Sequence, residues 1–252
     1  MMNVNNFLLA SNPFFDAYIH SDFLGKMIFI GLIALSIISW VILIHKVWLT
    51  TRARKFSTQF HESFQLQRMN PLSLECEPAT RKKMPNPFKD LYLVLKKHTL
   101  EILNKNRRFG KNAGDHAQEA TPSYLSPTDI DFVEAHLMTT VATQTKHLEK
   151  NLFILSTIVS LAPFLGLLGT VWGILTTFSE MQTQTSGSTH QMVLGGLSLA
   201  LATTVLGLID AIPALIGYNY LKNSIGDFET EMEGFSNEIL ASVEMQYRKV
   251  DT

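Results

Sequence analysis

Charge is what this chain has least of. Charged residues make up 17% of its 252 positions and hydrophobic ones 46%, where an ordinary soluble domain carries about 25% charged residues. A formal net charge of −1 offers nothing to a nucleic-acid partner, and none is expected. Cysteine is nearly absent: Cys76 stands alone, which excludes an internal disulfide and fits a reducing compartment. Metal-ligand spacing is lacking too. His45, His61, His98, His116, His136 and His147 are scattered, with no His-Glu-x-x-His pattern and no spacing that joins them to Cys76. No metal site and no cofactor is expected. Gly166-Leu-Leu-Gly169 has the outline of a phosphate loop, but no lysine follows it. No enzyme motif survives. Residues 1–22 contain no Lys or Arg, so the basic start of a cleavable signal peptide is missing as well.

What is present is a set of long uncharged runs. Residues 27–44 form one of 18 residues, extendable on both sides by Phe23, Leu24, Val47 and Trp48. Residues 151–179 form a second of 29, and residues 181–209 a third of 29, separated by Glu180 and followed by Asp210. A bilayer core needs about 20 apolar residues, so three membrane helices are predicted. Lysine and arginine orient them. With three spans, 20 of the 21 basic residues fall on one side and only Lys26 on the other. The positive-inside tendency puts the N-terminus outside and the long segment and tail in the cytoplasm.

The segment 50–150 is too polar to cross. Pro71, Pro78, Pro85 and Pro87 break its first half, and the Asn-rich, Gly-containing stretch 104–114 reads as a loop. Between them, Leu91, Leu95, His98 and Ile102 share one helical face. Ser126-Pro127-Thr128-Asp129 reads as a helix start, with Ser126 as N-cap, Pro127 at the first position and Asp129 at the third. Ile130, Val133, Leu137, Val141, Leu148 and Leu152 follow at helical spacing. No breaker lies between Thr128 and Ala162, which predicts a helix running straight into the membrane. In the tail, Ile225, Phe228, Met232, Phe235, Ile239 and Val243 recur three or four apart with acids between them. That pattern predicts an amphipathic helix continuing the third span. Its expected partner is the extension below the second span. A lipid surface suits it less, because anionic headgroups repel its acidic face.

Helical plots sharpen the second and third spans. Pro163, Gly166, Thr170, Gly173 and Thr177 form one small or polar stripe. Gly196, Ala200, Thr203, Gly207, Asp210 and Ala214 form another. Close packing of backbones and the wall of a hydrated cavity both suit such stripes. An acid at a helix centre costs about 2.5–3.5 kcal/mol on insertion scales. Asp210, however, lies roughly 25 Å along its helix at about 1.5 Å per residue. It is therefore expected near the cytoplasmic end, solvated. Pro163 and Pro213 either kink their helices or mark a lost turn.

APFLGLLGTVWGI (162–174) and LALATTVLGLIDAIPALIGYN (199–219) resemble the second and third helices of the ExbB/TolQ family, related more distantly to the flagellar stator subunit MotA. The specific likeness covers about 70 of 252 residues. It implies an all-α membrane protein with three transmembrane helices, two of them extended into a cytoplasmic helical bundle. The expected divisions are 1–22 periplasmic, 23–49 the first span, 50–150 a cytoplasmic helical segment and 151–179 the second span. A periplasmic loop (180–191), the third span (192–219) and a cytoplasmic C-terminal helix (220–252) complete them. The resemblance further implies an inner-membrane proton-channel subunit and not an enzyme. Such a subunit forms a homo-oligomer, a pentamer in the family, around an ExbD/TolR-type single-span partner whose membrane Asp carries the proton. A TonB/TolA-type protein is a further candidate partner. By position, Thr170 and Thr203 match the family's channel threonines, and Gly166, Gly169, Gly173, Gly207, Pro163 and Pro213 fall to helix packing. Ser198 stands where proton-channel members usually carry Glu, and Asp210 where they usually have a small apolar residue. The two positions lie 12 residues and about 18 Å apart, so Asp210 is read as a water-exposed, exit-side group in the ion pathway beside Ser198. The likeness leaves open proton against sodium, and Tol-type envelope maintenance against Exb-type powering of outer-membrane transport, with a lean to the Tol type. A structural membrane scaffold without ion conduction is the alternative. A secondary transporter is weakened by the small number of spans and the lack of an inverted repeat.

Overall fold

The computed structural model describes Phe14, Tyr18 and residues 22–68, 70–74, 86–112, 124–183 and 189–248. Cys76, Pro78, Pro85 and His116 lie outside them, as does most of the stretch 1–22. Among the described residues the order is α1 (Phe23–Leu66), α2 (Pro87–Asn112), α3 (Pro127–Glu149), α4 (Leu152–Thr183) and α5 (Thr189–Tyr247). Three helical stretches, within Phe23–Leu66, Pro127–Ser179 and Gly196–Tyr247, are long and apolar enough to cross a membrane. The chain divides into two compact units. One comprises Met1–His45 and Asn151–Leu221, the other Lys46–Lys150 and Lys222–Thr252.

The apolar unit takes the first half of α1, all of α4 and the first half of α5. Its outward faces carry Ile37, Val41, Phe164, Val171, Leu201 and Ile216, all exposed, as a surface facing lipid or other membrane helices requires. Ile28 and Leu32 of α1 pack with Ala162 of α4 and Ala211 of α5, flanked by Leu165 and Leu206. Asp22 starts α1 by accepting from the Gly25 backbone N–H at 2.9 Å, an N-cap bond. Its other oxygen accepts from Trp172 Nε1 at 2.7 Å, tying the head of α1 to α4. Pro163 and Pro213 both sit inside continuous helices. Each removes one ladder N–H without ending its helix, which neighbouring helices in a membrane allow.

The second unit is amphipathic throughout. Ser126, Pro127 and Asp129 form the anticipated helix start, with a capping box between Ser126 and Asp129. Burial works against the Asp129 charge. The Ser126 backbone N–H and hydroxyl and the Asn106 amide donate to it and outweigh that effect, holding the carboxyl below its ordinary range. The stripe Ile130, Val133, Leu137, Val141 and Leu148 of α3 is buried, and so is the whole stripe Ile225, Phe228, Met232, Phe235, Ile239 and Val243 of α5.

Two expectations are corrected here. The stretch 104–112 is the end of α2, not a loop; Asn, Lys and Arg are no breakers, and a lone Gly110 costs a helix only about 1 kcal/mol. The helix start at Ser126 does not run straight into the second span. It stops at Glu149, and Asn151 takes a φ of 72° before α4 begins, a left-handed conformation that Asn tolerates better than most residues. Ring contacts join the tail stripe to α1 and α2. Phe235 stacks on Phe88 of α2 at 4.4 Å and meets Phe60 and Phe64 of α1 edge-on. The helix that holds the first span, α1, continues beyond it and extends 44 residues to Leu66. Its lower half supplies the buried Ala53, Ser57 and Phe64, and Lys46 Nζ donates to the Leu148 carbonyl at 2.8 Å.

Candidate functional site

α4 and α5 run antiparallel, and residues without bulk make their line of contact. A Cβ added to Gly166 would stand 3.0 Å from the Thr203 carbonyl oxygen, one on Gly173 3.1 Å from Ala200 Cβ, and one on Gly207 2.6 Å from the Ala162 carbonyl oxygen. Added to Gly169 it would run into the Thr203 side chain, and added to Gly196 into the Thr177 hydroxyl. Backbones approach this closely only where side chains are missing. Pro163 and Pro213 lie within a turn or two of this seam.

Threonine hydroxyls line the seam, and each has a partner. Thr203 is 0% exposed. Its Oγ1 donates to the Ala200 carbonyl at 2.9 Å and lies 3.4 Å from the Gly166 carbonyl oxygen across the pair. Thr204 donates to that same Gly166 oxygen at 3.1 Å, a cross-helix bond that periodicity did not single out. Thr177 is buried and donates to Gly173 at 2.6 Å. Thr170, half-buried beside Gly169, donates to the Leu167 carbonyl at 2.6 Å. Thr203 therefore sits within the helix pair and Thr170 at its edge. A hydroxyl both donates and accepts, so each keeps an acceptor position.

The other two singled-out residues part company. Ser198 is exposed, one turn before Ala202 on α5. Asp210 is 3% exposed, which corrects the reading of a solvated group. It faces α1, and its Oδ1 lies 3.0 Å from Ser39 Oγ. A helical plot of α5 alone cannot show this, because the partner is 171 residues away. The one available hint was a pair of serines, Ser36 and Ser39, three apart in an otherwise apolar first span.

These features define a class: a multi-pass helical membrane protein whose paired spans meet backbone to backbone along a seam of glycines and threonine hydroxyls. The chain matches the model of the MotA/TolQ/ExbB proton channel family over residues 106–234, from the end of α2 through most of α5, and it belongs to that family. It is 27% identical to the Tol-Pal system protein TolQ of Haemophilus influenzae over 95% of this chain and 97% of that protein. It is 28% identical to the biopolymer transport protein ExbB of Salmonella typhimurium, over 98% and 91%. A shorter stretch of 74 residues, 29% of this chain, is 53% identical to half of the Helicobacter pylori ExbB.

Proposed function

We propose that the chain is the proton-channel subunit of an energy-transducing motor of the inner membrane, of the TolQ/ExbB type. The observation that carries this reading is full-length similarity to both a TolQ and an ExbB protein, joined to a helix pair whose seam bears Thr170 and Thr203. In the proposed assembly the N-terminus is periplasmic, and the long segment and tail are cytoplasmic. Copies form a homo-oligomer, a pentamer by family likeness, around an ExbD/TolR-type single-span subunit with an acid in its span. A TonB/TolA-type protein receives the work. Protons pass between the α4–α5 wall and the partner's acid. Thr170, at the edge of the pair, offers its free acceptor position to water or to that acid, and Thr203 holds the wall through Gly166. Ser198 lies on the outer part of the same helix, where its exposed hydroxyl can join the water path. Neutralising the partner's acid removes its desolvation cost and lets one set of subunits move against the other.

Paired Thr170→Val and Thr203→Val substitutions keep the shape and delete the hydroxyls. Reconstituted with the single-span partner in liposomes, the wild-type assembly is expected to give proton flux that depends on the partner's acid, and the double variant to lose most of it. Unchanged flux in the double variant overturns the channel role of these residues. One observation favours a second reading, a scaffold that organises partner helices without ion flow: the Thr203 hydroxyl is fully buried and its hydrogen is committed within the helix pair. Under it, the wild-type assembly shows no flux that depends on the partner's acid.

A further inference from the structure

Asp210 and Ser39 make a buried polar contact that the channel mechanism does not use. Around it the unit is apolar: the next residue, Ala211, packs with Ile28, Leu32 and Ala162, flanked by Leu206. The groups that face Asp210 are the serines of α1, Ser36 and Ser39. Among the described residues no Lys, Arg, His or second acid pairs with it. The Ser39 oxygen lies 2.9 Å from the Ser36 carbonyl oxygen and 3.0 Å from Asp210 Oδ1. Asp210 Oδ2 is buried and has no hydrogen-bond partner.

Counting protons constrains this arrangement. Ser39 has one hydrogen to donate, and the Ser36 carbonyl has none. If Ser39 donates to Ser36, its contact with Asp210 is a hydrogen bond only when the carboxyl carries the proton and donates to Ser39 Oγ. If Asp210 were ionised, Ser39 would turn to it and leave Ser36. A buried carboxylate would then have only the two serine hydroxyls of α1 to stabilise it, with Oδ2 still lacking a hydrogen bond, whereas in the neutral acid that oxygen is an ordinary carbonyl, far less costly to leave unpaired. We propose that Asp210 is an intramembrane proton-binding site, in which the neutral carboxyl donates to Ser39 and Ser39 donates to the Ser36 carbonyl. Its ligand is the proton itself. Release of that proton to water reverses the Ser39 hydroxyl, so α1 changes from accepting at α5 to donating to it. The site thus links proton occupancy to the contact between the first and third spans, away from the Thr170–Thr203 seam.

The test is infrared difference spectroscopy of the full-length oligomer in lipid at neutral pH. A carboxylic-acid carbonyl band is expected in the wild type and absent from Asp210→Asn. In Ser39→Ala the band moves to higher frequency, because its hydrogen-bond acceptor is gone. Isotope-labelled aspartate in the unsubstituted protein shifts the same band, and so reads the site even if a variant fails to assemble. An identical band in Asp210→Asn, no band that shifts with labelled aspartate, or no change in Ser39→Ala overturns the proposal. None of these readings requires ion flux or a partner subunit, so the result is separate from the test of the channel.

Discussion

Gly207 is where the helix seam leaves no room, and a single methyl measures it. The Cβ of Gly207→Ala would stand 2.6 Å from the Ala162 carbonyl oxygen, where carbon–oxygen contacts settle near 3.3–3.6 Å. The obstacle is backbone of a neighbouring helix, so no side chain can rotate away. α4 and α5 must part locally by roughly 0.7–1 Å, the difference between those distances. The Thr204 bond to Gly166, at 3.1 Å, then stretches out of range, a loss of about 0.6 kcal/mol for such bonds between membrane helices. Overpacking adds about 1–3 kcal/mol. Against these, alanine in place of glycine gains a helix about 0.8–1 kcal/mol. The expected balance is a loss of about 0.6–2.8 kcal/mol, or roughly 3–100-fold in the folded-to-unfolded ratio. Gly234 on the same helix α5 has nothing within 4 Å of its added Cβ, so Gly234→Ala is expected to stabilise by about 0.4–1 kcal/mol. Reversible unfolding of the full chain in detergent micelles, followed by helical circular dichroism, compares the two. Opposite signs are required. A Gly207→Ala protein as stable as the wild type refutes the close approach of α4 and α5.

Two more predictions concern the second unit. Phe235 is buried and stacked on Phe88 at 4.4 Å, so Phe235→Ala is expected to cost about 3–5 kcal/mol, read as a lowered unfolding midpoint. If the loss stays under about 1 kcal/mol, comparable to a surface change, the aromatic contact is not a core. Ser126→Ala removes the α3 cap and is expected to cost about 1 kcal/mol. It also removes one of the donors to Asp129, the Ser126 hydroxyl, leaving the backbone N–H and Asn106 in place. Because those bonds hold the folded carboxyl below its unfolded value of about 3.9, their stabilisation is complete above that value and is lost as pH falls through the lower, folded one. An acid-unfolding profile of Ser126→Ala is therefore flatter in that range than the wild type, and identical profiles count against the capping box.

Sequence alone determined the elements whose cause is local. Uncharged length marks the spans because the bilayer core sets a minimum for it. Ser126, Pro127 and Asp129 announced a helix start because a capping box is closed within four consecutive residues. The tail stripe was legible because burial repeats with the helical period. The glycine and threonine stripes were visible as well, but periodicity could not say whether they faced each other or water. Only the tertiary structure decided that Gly207 meets Ala162, that Thr204 bonds Gly166, and that Phe235 stacks on Phe88 of α2. Asp210 shows the reason most plainly. Its position along α5 suggested solvent, yet its environment is set by Ser39 on a helix 171 residues earlier in the chain. Which residue faces which is a property of two helices at once, and no single helix's pattern contains it.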